Sequence, residues 1–239
     1  MVYTVLSQLK AQKKGEVNKI CGIYGAFNPS KFEILDQANK VRGNFASGVY
    51  YCDGVDYDVQ KTEGSFDWNK VKLPKGFIYL GHNQAPTSSE RKWKMHNCHP
   101  FIRDNWIVAH NGVLTNFKQL KENYLPAHDN LVDSSIIPAL LTHFEHMFED
   151  ANTTEKEQDL ICYVLELLQG TFGLWIVNTK TYNVYIARQG STLFFDKDSF
   201  SSAKGEGFEE LKEGILYKFG KKGTKPVDAF KVKSPFLEL

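Results

Sequence analysis

Cys21 heads a short glycine-bearing run, Lys19-Ile20-Cys21-Gly22-Ile23-Tyr24-Gly25. A thiol inside a chain usually behaves as a small buried hydrophobe. If the Ile20–Cys21 bond is cut, the same residue becomes an N-terminal nucleophile that carries its own base. A cysteine thiol titrates at about 8.5 and an α-amine at about 8, so the amine can move a proton at neutral pH without a separate histidine. Other segments supply further groups that acyl transfer needs. They are Arg42-Gly43-x-x-x-Ser47-Gly48, Gly81-His82-Asn83-Gln84-Ala85-Pro86-Thr87, Asn97-Cys98-His99-Pro100 and His110-Asn111-Gly112. Taken singly, none is specific. Gly22 and Gly25 also suit close packing, and Asn111-Gly112 also suits a turn.

Competing chemistries fit less well. His96, Cys98 and His99, with His82 or His110, can be drawn as a zinc site, but adjacent ligands in H-x-C-H point apart and chelate poorly. Arg188-Gln189-Gly190 lacks the glycine cluster and lysine of a phosphate loop. The lysine-rich C-terminal stretch has few aromatics among its charges, so nucleic acid is an unlikely partner by composition. No metal and no organic cofactor is expected.

The elements that must position these residues follow from periodicity. Residues 20–27 read as a strand, and Asn28-Pro29-Ser30 opens a helix that ends at Gly43. Strands are expected at 46–52 and 54–60 around Cys52-Asp53-Gly54, at Phe77–Leu80 and at Trp106–Ala109. Residues 83–105 read as a long loop. Helices are expected after Asn116, from Asp133 or Ser134 to about Phe148, and over 155–169. The period then returns to two: Phe172–Val177 and Tyr182–Ala187 form a hairpin, with further strands at Leu193–Phe195 and Ile215–Tyr217. Mixed or antiparallel sheets with helices outside them are the result.

In this order the segments resemble the glutaminase domain of class II glutamine amidotransferases, a group of N-terminal nucleophile hydrolases. The resemblance spans about residues 21–215 and extends to Asp133-Ser134, Leu168-Gln169-Gly170-Thr171-Phe172 and Ala187-Arg188-Gln189-Gly190-Ser191-x-Leu193. It implies an α+β fold, a four-layer αββα sandwich of two mostly antiparallel sheets between helical layers. It implies an enzyme that releases ammonia from L-glutamine through a thioester on Cys21, provided that Cys21 is exposed as the N-terminus. Asn111 and Gly112 match the oxyanion hole. Arg42, Gln84, Thr87, His99 and Asp133 match positions that shape the glutamine pocket, with Asp133 receiving the α-ammonium. Ser47, His82 and His110 match supporting positions. At Gln84 the sequence departs from the pattern, where the family usually has an arginine for the substrate carboxylate. A neutral amide there lowers binding by about 1.5–3 kcal/mol, unless another cation substitutes or the substrate is a different amide.

Three regions are expected: a leader or propeptide at 1–20, the glutaminase domain at 21–215 and a basic tail at 216–239. The 239 residues carry a net charge of +1, but lysines gather at both ends, so the body is acidic. The resemblance implies a separate acceptor or synthase subunit to use the ammonia. A non-catalytic binding subunit on the same fold is the rival reading, motivated by the uncut leader and Gln84. The first 20 residues lack the continuous apolar stretch of a secretion signal, and no run is long enough for a membrane helix. With Cys21, Cys52, Cys98 and Cys162 unpatterned for disulfides, a reducing cytoplasm is expected.

Overall fold

Alternation of inward and outward side chains builds two sheets. The computed structural model describes residues 21–70, 73, 75–85, 92–148 and 153–232. The leader, Thr87 and the last seven residues lie outside these. The strands are β1 (Gly22–Ala26), β2 (Ala46–Cys52), β3 (Tyr57–Glu63), β4 (Ile78–Gln84), β5 (Phe101–Arg103), β6 (Trp106–Leu114), β7 (Gly170–Asn178), β8 (Asn183–Gln189), β9 (Phe194–Phe195), β10 (Ser199–Ser201), β11 (Glu209–Glu210), β12 (Ile215–Gly220) and β13 (Gly223–Ala229). The first sheet runs β11-β9-β10-β1-β4-β2-β3 and the second β13-β12-β8-β7-β6-β5. Every neighbouring pair of strands is antiparallel.

Among the described residues four helices cover the outer faces: α1 (Pro29–Lys40), α2 (Phe117–Tyr124), α3 (Ile136–Phe144) and α4 (Thr154–Leu167). Asn28 caps α1 by accepting the Lys31 N–H at 3.1 Å, and Pro29 occupies its first turn, where a missing N–H costs nothing. Three separate cores result. Tyr24, Phe32, Leu35, Val49 and Tyr79 fill the layer between α1 and the first sheet. Ile23, Tyr50, Leu80, Ile107, Trp175 and Ile186 fill the space between the sheets. Trp106, Leu140, Leu160, Leu165, Phe172 and Ile176 lie between the second sheet and α2–α4. This is the four-layer αββα sandwich. Among the described residues no helix is long and apolar enough to cross a membrane.

Two expectations are corrected. Residues 83–105 are not one loop: β4 continues to Gln84, a 3-10 turn covers Met95–Asn97, and β5 follows. Asn83 and Gln84 are buried polar residues, so an apolar-run criterion ends the strand too early. The basic stretch after residue 215 is built into the second sheet as β12 and β13, and its Leu216 and Phe230 lie in the helix-side core. Lys218 and Lys225 sit on a half-exposed and an exposed position of β12 and β13, and Lys221 and Lys222 are exposed in the turn between them, an arrangement by which edge strands resist pairing with other chains.

Asp36 ties α1 to the first sheet. It is fully buried and accepts from the Tyr24 hydroxyl, from Asn83 Nδ2 at 3.0 Å and from Trp68 Nε1 at 2.7 Å, with Lys40 Nζ at 3.1 Å. Removing one member of such a set strands the others without partners. Asp36→Ala is expected to cost about 3–5 kcal/mol in urea unfolding; a loss below about 1 kcal/mol would show that the network contributes little.

Candidate functional site

Side-chain parity decides what faces the space between the sheets. On β1, Tyr24 and Ala26 point to α1, whereas Ile23 points to the second sheet. Cys21, two residues before Ile23, shares its side by the period of two. On β6, Trp106 and Val108 face the helices, whereas Ile107 and Ala109 face the first sheet. Asn111 therefore faces inward and His110 outward. Asn111 lies opposite Gly173 of β7, where an added Cβ would lie 3.7 Å from the Ile23 side chain. So Cys21 and Asn111 come from different sheets and open on the same interior.

Around Cys21, the Arg42 Nε–H donates to the Cys21 carbonyl at 3.2 Å, and the Ala85 N–H lies 3.4 Å from its Sγ. Arg42 follows the end of α1 and is half-buried. Burial works against its charge, and the nearby Cys21 thiol, when ionised, works in favour of it. Cys21 is partly exposed, and none of Cys21, Cys52, Cys98 and Cys162 is in a disulfide.

Asn111 is fully buried. Its Nδ2 donates to Ser202 Oγ at 3.1 Å. Gly112 pairs with Phe172 across β6 and β7, with φ at 156°. A Cβ there would collide with the Thr171 carbonyl oxygen and the His110 ring, so only glycine keeps this backbone N–H where it is.

The histidines surround the site as neutral spacers. His82 faces the second sheet and its Nε2 pairs with the His110 carbonyl at 3.1 Å. His99 stacks on His82 with ring centroids 3.8 Å apart. His110 bonds Ser134 Oγ through Nδ1 at 2.8 Å and the Thr171 carbonyl through Nε2 at 3.1 Å. Burial is the main cause holding all three below the usual imidazole range, His82 to about 3. His99 reaches its place through a turn that Gly48 admits, because a Cβ at 48 would overlap the His99 carbonyl.

Asp133 opens the 3-10 turn before α3. Its carboxylate accepts the Leu114 N–H and the Ser134 N–H, each at 2.7 Å, and lies 3.1 Å from the Ser134 hydroxyl, whose hydrogen goes to Nδ1 of the neutral His110. It thereby joins the end of β6 to α3. Gln84 is buried, and its Nε2 donates to the Asn97 carbonyl at 3.3 Å. Ser47 lies on the α1 face of the first sheet, where its hydroxyl donates to Asn83 Oδ1 at 2.7 Å. It supports β4 from behind and does not line the interior. Thr87 lies outside the described residues. Among those described, no three His, Cys, Asp or Glu side chains are grouped to hold a metal ion.

Sequence reasoning missed Ser202, Asp36 and Lys61. Lys61 Nζ donates to the Cys98 and Met95 carbonyls at 2.8 and 3.3 Å, fastening the turn that precedes His99, and burial lowers its pKa to about 8. A lysine in a polar edge strand and a serine in Ser199-Phe200-Ser201-Ser202 carry no local signal. Asn83, which joins Ser47 to Asp36, sits inside a motif already singled out.

No protein-family model matches the chain. It is 27% identical over 215 residues to the glutamine–fructose-6-phosphate aminotransferase (isomerizing) of Helicobacter pylori, covering 83% of this chain and 32% of that protein. It is 27% identical over 199 residues to the 7-cyano-7-deazaguanine synthase of Saccharolobus solfataricus, covering 75% of this chain and 40% of that one. The chain thus spans well under half the length of these relatives. In structure it resembles the glutamine phosphoribosylpyrophosphate amidotransferase from B. subtilis, with a TM-score of 0.66 at 19% identity, over 90% of this chain and 50% of that one.

The three buried neutral histidines make stability depend on acid. Their unfolded pKa is about 6.5, and their folded values lie below it. Their contribution is therefore complete above pH 6.5 and is lost as pH falls from there, because only the unfolded chain takes up the protons. Between pH 6 and 5 His82 and His99 are each expected to remove about 1 kcal/mol, with His110 acting in the same direction. Urea unfolding at the two pH values should show His99→Asn losing about 1 kcal/mol less than the parent; equal losses would refute the assignment.

Proposed function

We propose that this chain, a class II glutamine amidotransferase domain with the N-terminal nucleophile hydrolase fold, hydrolyses the side-chain amide of L-glutamine once Cys21 is its first residue. The observation that carries the reading is the convergence of Cys21 from the first sheet and Asn111 from the second on one interior, with Ser202 bonded both to Asn111 and to the strand that follows Cys21.

The chemistry needs few groups. The Cys21 thiol gives its proton to its own α-amine, and Sγ attacks the amide carbonyl. The C–S bond forms and the carbonyl π electrons move to oxygen. Asn111 Nδ2 and the Gly112 N–H are the donors suited to that oxyanion; one such donor is worth about 3 kcal/mol in comparable hydrolases. Collapse breaks the C–N bond, the α-ammonium returns its proton to the leaving nitrogen, and ammonia departs. Water then attacks the thioester, the amine takes its proton, and glutamate leaves as the thiol re-forms. The buried histidines resist protonation at neutral pH, so the α-amine is left as the mobile base. With Ile20 attached, the Cys21 nitrogen is an amide and cannot act as a base, so the uncut chain is a binding protein at most.

Asp133 suits the substrate ammonium, although its carboxylate already accepts two backbone hydrogen bonds. Gln84 brings no charge to a substrate carboxylate. A second reading rests on that residue: the site takes another amide, one without an anionic group at this position. The relatives join a domain of this kind to further sequence, which supports an acceptor or synthase, as a separate subunit, that consumes the ammonia.

The full chain should be folded, cut after residue 20 at an installed protease site, and assayed for ammonia and glutamate. The cut protein should turn over glutamine and the uncut protein should not. Cys21→Ala should abolish turnover. A cut, folded protein that is inert toward glutamine sinks the glutaminase reading. Separately, Gln84→Arg should lower the glutamine KM by about tenfold, from a charge-assisted pair worth about 1.5–3 kcal/mol. An unchanged or raised KM would show that the substrate carboxylate does not lie against residue 84.

A further inference from the structure

Ser202 follows β10 and is buried. Its N–H donates to the Ile23 carbonyl at 2.8 Å, and its Oγ accepts the Ile23 N–H at 3.1 Å. The same Oγ accepts Asn111 Nδ2 at 3.1 Å, and the Ser202 carbonyl accepts the Thr192 hydroxyl at 3.1 Å. The serine is thus fixed by backbone on one side and reaches across to the second sheet on the other. Two donors occupy the acceptor sites of its oxygen, while its own hydrogen remains to be donated.

Asn111 shows the complementary shortage. Its Oδ1 is buried without a hydrogen-bond partner, an arrangement that is costly for an amide carbonyl. Turning the amide by 180° about Cβ–Cγ exchanges the two atoms. Oδ1 then accepts the Ser202 hydroxyl hydrogen, and Nδ2 takes the side where Oδ1 had been, with both hydrogens released. A hydroxyl serves either orientation because it donates and accepts. The Ile23 N–H keeps its oxygen in place meanwhile.

We propose that Ser202 is the positioning residue of the oxyanion site, holding the Asn111 amide with Nδ2 on the serine at rest and, through the reversed bond, with Nδ2 toward the substrate oxyanion. The proposal rests on the glutaminase reading and adds a residue to it. Ser202 itself touches no reacting atom.

The test compares parent, Ser202→Ala and Ser202→Cys, each folded as the full chain and cut after residue 20. Two rates are read: glutamine hydrolysis, which develops an oxyanion, and alkylation of Cys21 by iodoacetamide, which does not, followed by mass at Cys21. Ser202→Ala should lower kcat by about 30–300-fold, approaching the loss of a whole oxyanion donor, while KM and the alkylation rate stay within about threefold. Ser202→Cys, a weaker donor and acceptor of similar size, should fall between, and it carries the test if the alanine variant does not fold. An unchanged kcat, or kcat and alkylation falling together, overturns the positioning role while leaving glutaminase activity in the parent intact. A parent that is alkylated at Cys21 but inert toward glutamine overturns both readings.

Discussion

Several polar groups buried between the two sheets find their partners on the opposite sheet. Trp175 Nε1 donates to the Gly81 carbonyl at 3.1 Å. His82 Nε2 meets the His110 carbonyl at 3.1 Å, and Asn111 Nδ2 meets Ser202 at 3.1 Å. Apolar side chains such as Ile23, Ile107 and Trp175 drive the sheets together without fixing how they are aligned. The three crossing bonds do fix it, because sliding one sheet would leave each group buried and unpaired. Everything at the candidate site depends on that alignment, since its thiol and its amide belong to different sheets.

The period of two then distributes roles. One face of β4 carries Leu80 and His82 toward the other sheet, and the opposite face carries Tyr79 and Asn83 toward α1. The inward face provides the lining and the outward face provides its mounting. Asn83, Asp36 and Ser47 do not reach the interior, yet they hold the strand whose inward residues do. Gly48 and Gly112 are among the places where backbone comes too close for a Cβ.

Burial sets the electrostatics around the candidate site. Three buried histidines remain uncharged, because burial outweighs the favourable contacts of His82 and His110 and nothing near His99 favours its charge. Arg42 is half-buried and spends a donor on the Cys21 carbonyl. A thiol in such surroundings has no imidazolium to lower its pKa. Chemistry at Cys21 is then most economical when the base belongs to the same residue, and that returns the question of function to the bond before it.

Much was legible along the chain. The hairpin over residues 170–189, the α1 cap at Asn28 and the helices at 117–124 and 154–167 follow from local period and, at Asn28 alone, from capping; Asn116, expected as a cap, instead bonds the Leu167 carbonyl and the Gln169 N–H. Also legible were the motif segments around Cys21, Asn111 and Asp133, and the family resemblance that their order carries. The long loop assigned to 83–105 and the basic tail were misread, since buried Asn83 and Gln84 and strand-borne lysines contradict simple polarity rules. Ser202, Asp36 and Lys61 were invisible, because each acquires its place from partners about 30 to 180 residues away or from another element. The sequence by itself determined which residue types were present and which face of its strand each would take, since both are local properties with a period of two. Packing of the two sheets set Asn111 on the same interior as Cys21 and let Ser202 join Asn111 to Ile23 of β1, because sheet-to-sheet alignment is set by satisfying buried polar groups across the gap.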